Sequence, residues 1–482
     1  MPGENNGPTV AIETLGCKVN QYETSYFLEV LKQAGYRPVS FGEHADIYII
    51  HSCAVTAKAG AQTRQLLRRA RRANPHARIV AAGCYAQLDG NRIAREGLAT
   101  HILGNPGKFD LIEWLRRPGS FAQPCLALDP GPRCHAEFEI SPVSRMHTGR
   151  TRAVLKIQDG CDSFCSYCVV PLVRGKSRSL APALVLEQVQ ELMKAGHGEI
   201  VLTGIHLGKW GKDLLPAQSL SDLLEMIASG GPQPPRLRLS SIEPEEFDSR
   251  LLEVVSSAPW ICRHFHIPLQ SADPVILARM RRPYGPEYYA DLVGRLHAAF
   301  PGAAIGADVL TGFPGESEKQ FENTLAFIEK LPLSYLHVFP FSPRPGAAAA
   351  DFPGRIEGDE LKRRAAVLQA LGRRKKRAFR ESLIGQCLDV LAESEVRPGL
   401  WEGLSSNYVK VFFHPGEDFC PGKPVLVKVN GFRGEDLAGT VKSEERASGL
   451  RSGIGTHRSI HCLHGRASVG EKIPVERAHV SF

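Results

Sequence analysis

Cys161, Cys165 and Cys168, in the run GCDSFCSYC, are spaced so that one short loop can present three thiolates to a common centre. Three thiolates can hold a four-iron, four-sulfur cluster and leave one iron without a protein ligand. An open iron of that kind can chelate the amino and carboxylate groups of S-adenosylmethionine and pass an electron into its sulfonium bond, releasing a 5′-deoxyadenosyl radical. Zinc is the competing reading, but zinc usually takes four ligands, often as paired C-x-x-C halves, and no second pair follows at that spacing. The strand-like RAVLKIQDG directly upstream places the loop at the carboxyl end of a strand.

Three further cysteines behave as a set. Cys17 follows TVAIETLG, Cys53 follows ADIYIIHS and Cys84 follows ARIVAAG, so each ends an expected parallel strand. Carboxyl ends of parallel strands lie along one edge, which lets three thiols far apart in sequence converge on a second three-cysteine cluster. The alternative is three buried structural cysteines, since free Cys is among the most buried residue types. Cys125, Cys134, Cys262, Cys387, Cys420 and Cys462 share no spacing and are assigned no metal.

The elements that must carry these loops imply an α/β protein of three domains, because 482 residues exceed one compact core. Residues 9–115 alternate strand-like and helical runs, as a parallel sheet with flanking helices requires. Residues 116–150 collect Pro, Gly and Ser without sustained period and read as a linker. Over 151–356 six strands are expected, at RAVLKIQ, EIVLTG, RLRLSSI, RHFHIPL, AIGADVL and YLHVFPF. Helical patterns separate most of them, as in PALVLEQVQELMKAG, where Val185, Val189 and Met193 share a face and Pro182 suits the first turn. Six units point to a partial (β/α)6 barrel with its chemistry at the carboxyl ends of the strands. Residues 357–381 read as a basic connecting helix and 382–442 as a small β-barrel. The segment 443–482 has no apolar period and reads as a disordered tail.

The formal charge of +8 is gathered into a few Lys and Arg runs, which suits a polyanionic partner such as RNA. Arg64, Arg68, Arg69, Arg71 and Arg72 on one expected helix, and the run from Arg373 to Arg377 on another, are candidates to neutralise phosphates. No apolar stretch is long enough to cross a bilayer and no export signal opens the sequence, so a cytoplasmic location without membrane partners is expected. A reducing compartment also favours metal binding over disulfides for the twelve cysteines.

Taken together, these blocks resemble the radical S-adenosylmethionine methylthiotransferases over about residues 9–441. TLGCKVNQYET, HSCAVT and GCYAQ are similar to that family's amino-terminal domain, and KIQDGCDSFCSYCVVPLVRGKSRS, SSIEP, HIPLQSADPVILARMRRPY and DVLTGFPGESEKQFENT to its radical domain. The terminal β-barrel is similar to the family's TRAM domain, associated with RNA binding. VLTGIHLGKWGKDL looks most like the MtaB branch, which converts N6-threonylcarbamoyladenosine beside the tRNA anticodon to its 2-methylthio derivative. His51 departs from the pattern, standing where the family usually has Asn.

The resemblance implies two [4Fe-4S] clusters and S-adenosylmethionine as cofactors, with Cys17, Cys53 and Cys84 carrying the cluster involved with sulfur. One cofactor molecule would methylate the sulfur and another would yield the radical that removes hydrogen from carbon 2. It also implies a tRNA anticodon loop as partner and an electron donor such as flavodoxin or ferredoxin. Tyr167, Thr203, Gly204, Glu243, Gln270, Ser271 and Gly312 fall where the superfamily places cofactor contacts. Read from residue type alone, the same positions are loop packing, strand ends, caps and a tight turn. Competing functions are methylthiolation of a ribosomal protein or of isopentenyladenosine in tRNA, and a non-catalytic iron–sulfur protein that binds RNA.

Overall fold

The computed structural model describes residues 7–128, 151–416 and 419–442. Cys134, Cys462 and the segment read as a disordered tail lie outside the described residues.

The first unit is a six-stranded, all-parallel sheet. Its strands are β1 (Thr9–Thr14), β2 (Arg37–Val39), β3 (Ile47–Ser52), β4 (Arg78–Gly83), β5 (His101–Leu103) and β6 (Cys125–Ala127), in the order β2-β1-β3-β4-β5-β6. Helices cover both faces, so β3 and β4 carry continuous apolar runs rather than a polar–apolar alternation. In β3, Tyr48 and Ile50 enter one core, with Leu67 and Ile79, while Ile47 and Ile49 enter another, with Phe27 and Leu31. β6 lies within the segment read as a linker and pairs with β5. Three residues at a sheet edge are too few to display a period of two, which is why composition alone suggested a connection.

The second unit contains β7 (Arg152–Lys156), β8 (Gln158–Asp159), β9 (Arg178–Ser179), β10 (Glu199–Thr203), β11 (Leu237–Leu239), β12 (His264–His266), β13 (Ala304–Thr311) and β14 (Tyr335–Pro340). The six expected strands are present as two parallel three-stranded sheets, β11-β10-β7 and β12-β13-β14, joined by a single parallel bridge from Leu237 to Ile261. The antiparallel pair β8 and β9, two residues each, brackets the cysteine loop and was not expected. Leu155, Leu202, Leu239, Phe265, Ile305 and Val309 pack against the helices in one core. With a period of two, the opposite inner face receives Lys156, Glu199, Arg238, His266, Asp308 and His337. The helix Pro182–Lys194 begins on its proline and buries Val185, Val189 and Leu192, with Met193 at the margin of the stripe.

The basic segment forms one helix, Gly358–Ser382, and is more than a connection: Ala365, Leu368 and Leu371 complete the core of the second unit. Beyond it, β15 (Cys387–Arg397), β16 (Leu400–Ser405), β17 (Lys410–His414), β18 (Pro424–Arg433) and β19 (Asp436–Val441) form a small mixed sheet. Each strand pairs with two others, so none is left as an edge. Val390, Val411, Phe413, Val427 and Leu437 fill its interior. Among the described residues no helix is long and apolar enough to cross a membrane.

Candidate active site

β1, β3 and β4 are neighbours in the first sheet and run parallel, so their following loops share one edge. Cys17 caps the helix Lys18–Gln33, Cys53 directly follows β3, and Cys84 opens the helix Cys84–Arg95. Gly16, at φ +101°, brings these loops together: a Cβ there would lie 2.6 Å from the Cys53 Cβ and 2.9 Å from its Sγ. Burial pushes the Cys17 thiol up, and burial with the neighbouring Cys17 and Cys84 sulfurs pushes Cys53 up to about 12. Such thiols ionise when a metal coordinates them, since the metal's charge replaces the lost hydration.

A buried polar network surrounds this edge. Arg174 donates through Nε to Cys84 Sγ (3.2 Å), through Nη1 to Asp159 Oδ1 (2.9 Å) and Glu23 Oε1 (3.1 Å), and through Nη2 to Asn20 Oδ1 (2.7 Å). Lys108 Nζ lies 2.6 Å from Glu23 Oε2, and Lys156 Nζ 3.3 Å from Glu23 Oε1. Burial alone would raise the Glu23 carboxyl, but Arg174, Lys108 and Lys156 hold it well below the usual range. His51, the departure from the family pattern, is buried beside Thr24 Oγ1 (2.9 Å) and Glu23 Oε2 (3.3 Å), and burial lowers it to about 4. It is therefore neutral near pH 7. Residue-type reasoning passed over Asn20, Glu23 and Arg174; the signal was an acid, Glu23, on the helix face that otherwise buries Val19, Phe27 and Leu31.

Cys161, Cys165 and Cys168 sit in the loop after β8. Backbone amides of Ser163 and Val170 donate to the sulfurs of Cys161 and Cys168, each at 3.5 Å. His206 Nδ1 lies 3.3 Å from Cys161 Sγ and its Nε2 lies 2.6 Å from Glu246 Oε1. Burial works against a charge on His206, but these two partners outweigh it and push the imidazole up to about 10. Burial likewise opposes the Cys161 thiolate, yet His206 and the Ser163 hydrogen bonds bring that thiol below its ordinary value. Arg282 joins Cys165 Sγ (3.4 Å) to Glu243, so Glu243 is tied to the cysteine loop through a guanidinium. Burial raises Cys168 to about 12. His206, Glu246 and Arg282 were also missed, although each stands in or next to a motif singled out above.

Both sulfur sets fit a group larger than one ion. A tetrahedral zinc draws its sulfurs to about 3.8 Å apart. Among the described residues, the set of His, Cys, Asp and Glu ligand atoms that closes within 4.8 Å is His266, Asp308 and His337. Neither cysteine trio closes so tightly, and cationic or N–H donors surround the sulfurs, as an anionic iron–sulfur cluster with thiolate ligands requires.

Thr203 is buried at the end of β10, and its carbonyl accepts from the Ile157 amide (2.9 Å). At Gly204 a Cβ would meet Gln158 Oε1 at 2.8 Å, and that same oxygen accepts from the His206 amide (2.7 Å). Tyr167 packs against Ile276, Met280, Phe313 and Phe341. Gln270 adopts φ +65° and bridges to Val309, next to Asp308. Ser271 Oγ is engaged by Thr324 Oγ1 (3.2 Å) and the Asp273 amide (3.2 Å), which is a turn-holding role. The Gly312 amide donates to Glu316 Oε2 (2.8 Å) and closes a tight turn.

The basic runs are less available than their sequence suggested. Arg68 pairs with Glu96, Arg374 with Glu329 and Arg377 with Glu381, while Lys375 donates to two main-chain carbonyls. Exposed pairs of this kind are weak and exchange readily with phosphate.

Comparison with known proteins places this geometry. The radical SAM superfamily matches residues 155–328, and the family described as uncharacterized protein family UPF0004 matches residues 9–104. In overall fold the chain is similar to the radical S-adenosylmethionine methyltransferase TsrM of Kitasatospora setae, with TM-score 0.51 and 16% identity over 71% of this chain and 75% of that one. The second unit is thus a radical SAM domain, a class built around one [4Fe-4S] cluster and S-adenosylmethionine. The threonylcarbamoyladenosine tRNA methylthiotransferase MtaB of Bacillus subtilis is 36% identical over 87% of this chain and 93% of its own length. Its namesake from Thermotoga maritima is 36% identical over 83% and 90%. The tRNA-2-methylthio-N(6)-dimethylallyladenosine synthase of Symbiobacterium thermophilum is 32% identical over 88% and 92%. The chain belongs to the radical SAM methylthiotransferase family, alongside the MtaB proteins.

Proposed function

We propose that this chain adds a methylthio group to carbon 2 of N6-threonylcarbamoyladenosine beside the anticodon of tRNA, using two [4Fe-4S] clusters. Cys161, Cys165 and Cys168 hold the cluster that meets S-adenosylmethionine, and Cys17, Cys53 and Cys84 hold the second. The observation that carries the reading is Arg174: it ends the short helix that follows Cys168, yet donates to the sulfur of Cys84, so both trios open onto one region between the first two units. Side-chain packing agrees, since Ala54 and Cys84 share a core with Val169 and Val173.

Bound clusters supply the electron that opens the sulfonium bond and a site for sulfur. The chain's own residues then do the positioning. Arg174 and Asn105, whose Nδ2 lies 3.5 Å from Cys84 Sγ, steady that sulfur by hydrogen bonds. His206 and Arg282 do the same for the sulfurs of Cys161 and Cys165, and Glu243 orients Arg282. Thr203, Gly204 and Gln270 line the approach for the cofactor, with Tyr167 fixing the cysteine loop from behind.

In this reading residues 9–115 form the second-cluster domain, 151–356 a partial (β/α)6 radical barrel and 382–442 a TRAM-like barrel that helps hold RNA. A flavodoxin or ferredoxin supplies electrons. Anaerobic reconstitution with iron, sulfide, S-adenosylmethionine and reductant, followed by nucleoside mass spectrometry of tRNA bearing threonylcarbamoyladenosine, tests it. The 2-methylthio nucleoside is expected with wild type, while Cys53→Ala forms 5′-deoxyadenosine without that product. Unmodified nucleoside from iron-replete wild type would overturn the assignment.

A further inference from the structure

The inner face of the second unit carries a polar chain that the assignment above does not use. His264 Nε2 lies 2.7 Å from Tyr335 Oη, which lies 3.0 Å from His266 Nδ1; His266 Nε2 lies 2.8 Å from Asp308 Oδ1, and His337 Nδ1 reaches the same oxygen at 3.2 Å. The chain crosses β12, β13 and β14. Tyr408, in the turn between β16 and β17 of the small mixed sheet, stacks on His264 at 4.3 Å and 14°, which locks that ring. His264 is 3% exposed, and its Nδ1 has no hydrogen-bond partner. Leaving a buried polar atom unpaired costs about 1–3 kcal/mol, so a ligand atom that completes it is favoured.

The charge inventory says what that ligand carries. Arg238, in the same space, is already neutralised by Glu199 through two contacts of 2.7 and 2.9 Å. Asp308 is one carboxylate between two imidazoles, and its Oδ1 serves both. Lys18, the residue after Cys17 at the start of the helix Lys18–Gln33, lies within electrostatic range of Arg238 and His264 and is half-buried. The three imidazoles thus lie along this face with the Lys18 ammonium in electrostatic range; burial keeps His264 uncharged, and the two acids, Glu199 and Asp308, are both engaged. The chain of groups runs along the strands: His264 and Tyr335 are the first residues of β12 and β14, while His266 ends β12 and Asp308 neighbours Val309, to which Gln270 bridges, so its far end approaches the cofactor side.

We propose that Lys18, His264, His266 and His337, ordered by Tyr335 and Asp308, form a subsite for the free carboxylate of the threonylcarbamoyl group. The inference rests on the proposed function and names the part of the substrate that sets specificity. A dimethylallyl substituent offers no such anion, so the subsite selects between the two base types by charge.

The test uses full-length, cluster-reconstituted protein with two tRNAs that differ only at this group, the threonylcarbamoyl acid and its methyl ester, and compares kcat/KM within each variant. Wild type is expected to favour the acid by about 10- to 100-fold, the range of a charge-assisted hydrogen bond. Lys18→Met and His337→Phe should bring that ratio towards one, while Lys18→Arg keeps it. Because each variant is its own control, a general loss of activity does not mask the result. Equal use of acid and ester by wild type, or an unchanged ratio in both variants, would overturn the subsite. A raised KM for S-adenosylmethionine with an unchanged ratio would also overturn it, assigning these donors to the methionyl carboxylate. Zinc or iron bound by wild type and lost in His337→Phe, with the ratio unchanged, would overturn it in favour of a metal. Failure of wild type on both tRNAs would instead remove the proposed function, and the subsite with it.

Discussion

Replacing Glu23 by Gln isolates the charge at the junction of the first two units, because the side chains match in size and both accept hydrogen bonds. Glu23 is fully buried and meets Lys108 at 2.6 Å, Arg174 at 3.1 Å and Lys156 at 3.3 Å. After Glu23→Gln, three buried cations face Asp159 alone, which lies 2.9 Å from Arg174 and 3.3 Å from Lys156. Removing one member of a buried ion network costs about 3–5 kcal/mol, because the remaining charges stay desolvated without compensation. At roughly 2–4 °C per kcal/mol for a unit of this size, the first thermal transition should fall by roughly 6–20 °C. Calorimetry of the metal-free protein measures it. Adding Lys108→Met restores the balance of charge, so the double variant should melt above Glu23→Gln, with a coupling of about 1–3 kcal/mol. A Glu23→Gln transition within about 2 °C of wild type, below the shift of even 1 kcal/mol, or strictly additive losses in the double variant, would refute the network argument.

Other perturbations probe separate links. Gly204→Ala drives a methyl into Gln158 and displaces the His206 main chain that Gln158 holds, so 5′-deoxyadenosine formation should fall by about 10²-fold while iron content stays. Arg282→Met removes the cation beside Cys165, so the midpoint potential of the cluster on that loop should drop, as redox titration by electron paramagnetic resonance would show; an unchanged potential would count against the contact. Glu199 is held at about 2 by Arg238 and Arg236 against the opposing effect of burial, below the roughly 4.3 of an unfolded Glu. The stability it contributes is therefore present above about pH 4.3 and lost as pH falls towards 2, so melting curves of wild type and Glu199→Gln should converge over that window.

What was legible in the sequence followed from local pattern. β3 and β4 are short apolar runs followed directly by Cys53 and Cys84, and their parallel pairing in the sheet with β1 puts the loops of all three cysteines on one edge. The six strands of the second unit were likewise visible, because their apolar residues alternate or run together. β6 and the pair β8 and β9 were not, since two or three residues carry no period. The basic helix Gly358–Ser382 was read for its charge, and its apolar stripe Ala365, Leu368 and Leu371 was overlooked among the Lys and Arg residues. Partners were the larger gap. Arg174 reaches Glu23 across 151 positions and Arg282 reaches Cys165 across 117, and no local signal announces such contacts. Only a charged residue on an otherwise apolar face, as at Glu23, hints that a buried partner exists.

In the proposed function two separate cysteine trios each carry a cluster and open onto one site. Iron and acid-labile sulfide, measured on anaerobically reconstituted wild type, Cys17→Ala and Cys161→Ala, test it most directly. About eight irons are expected in wild type and about four in each variant. 5′-Deoxyadenosine formation should survive in Cys17→Ala and disappear in Cys161→Ala. About four irons in wild type, unchanged by Cys17→Ala, would contradict it.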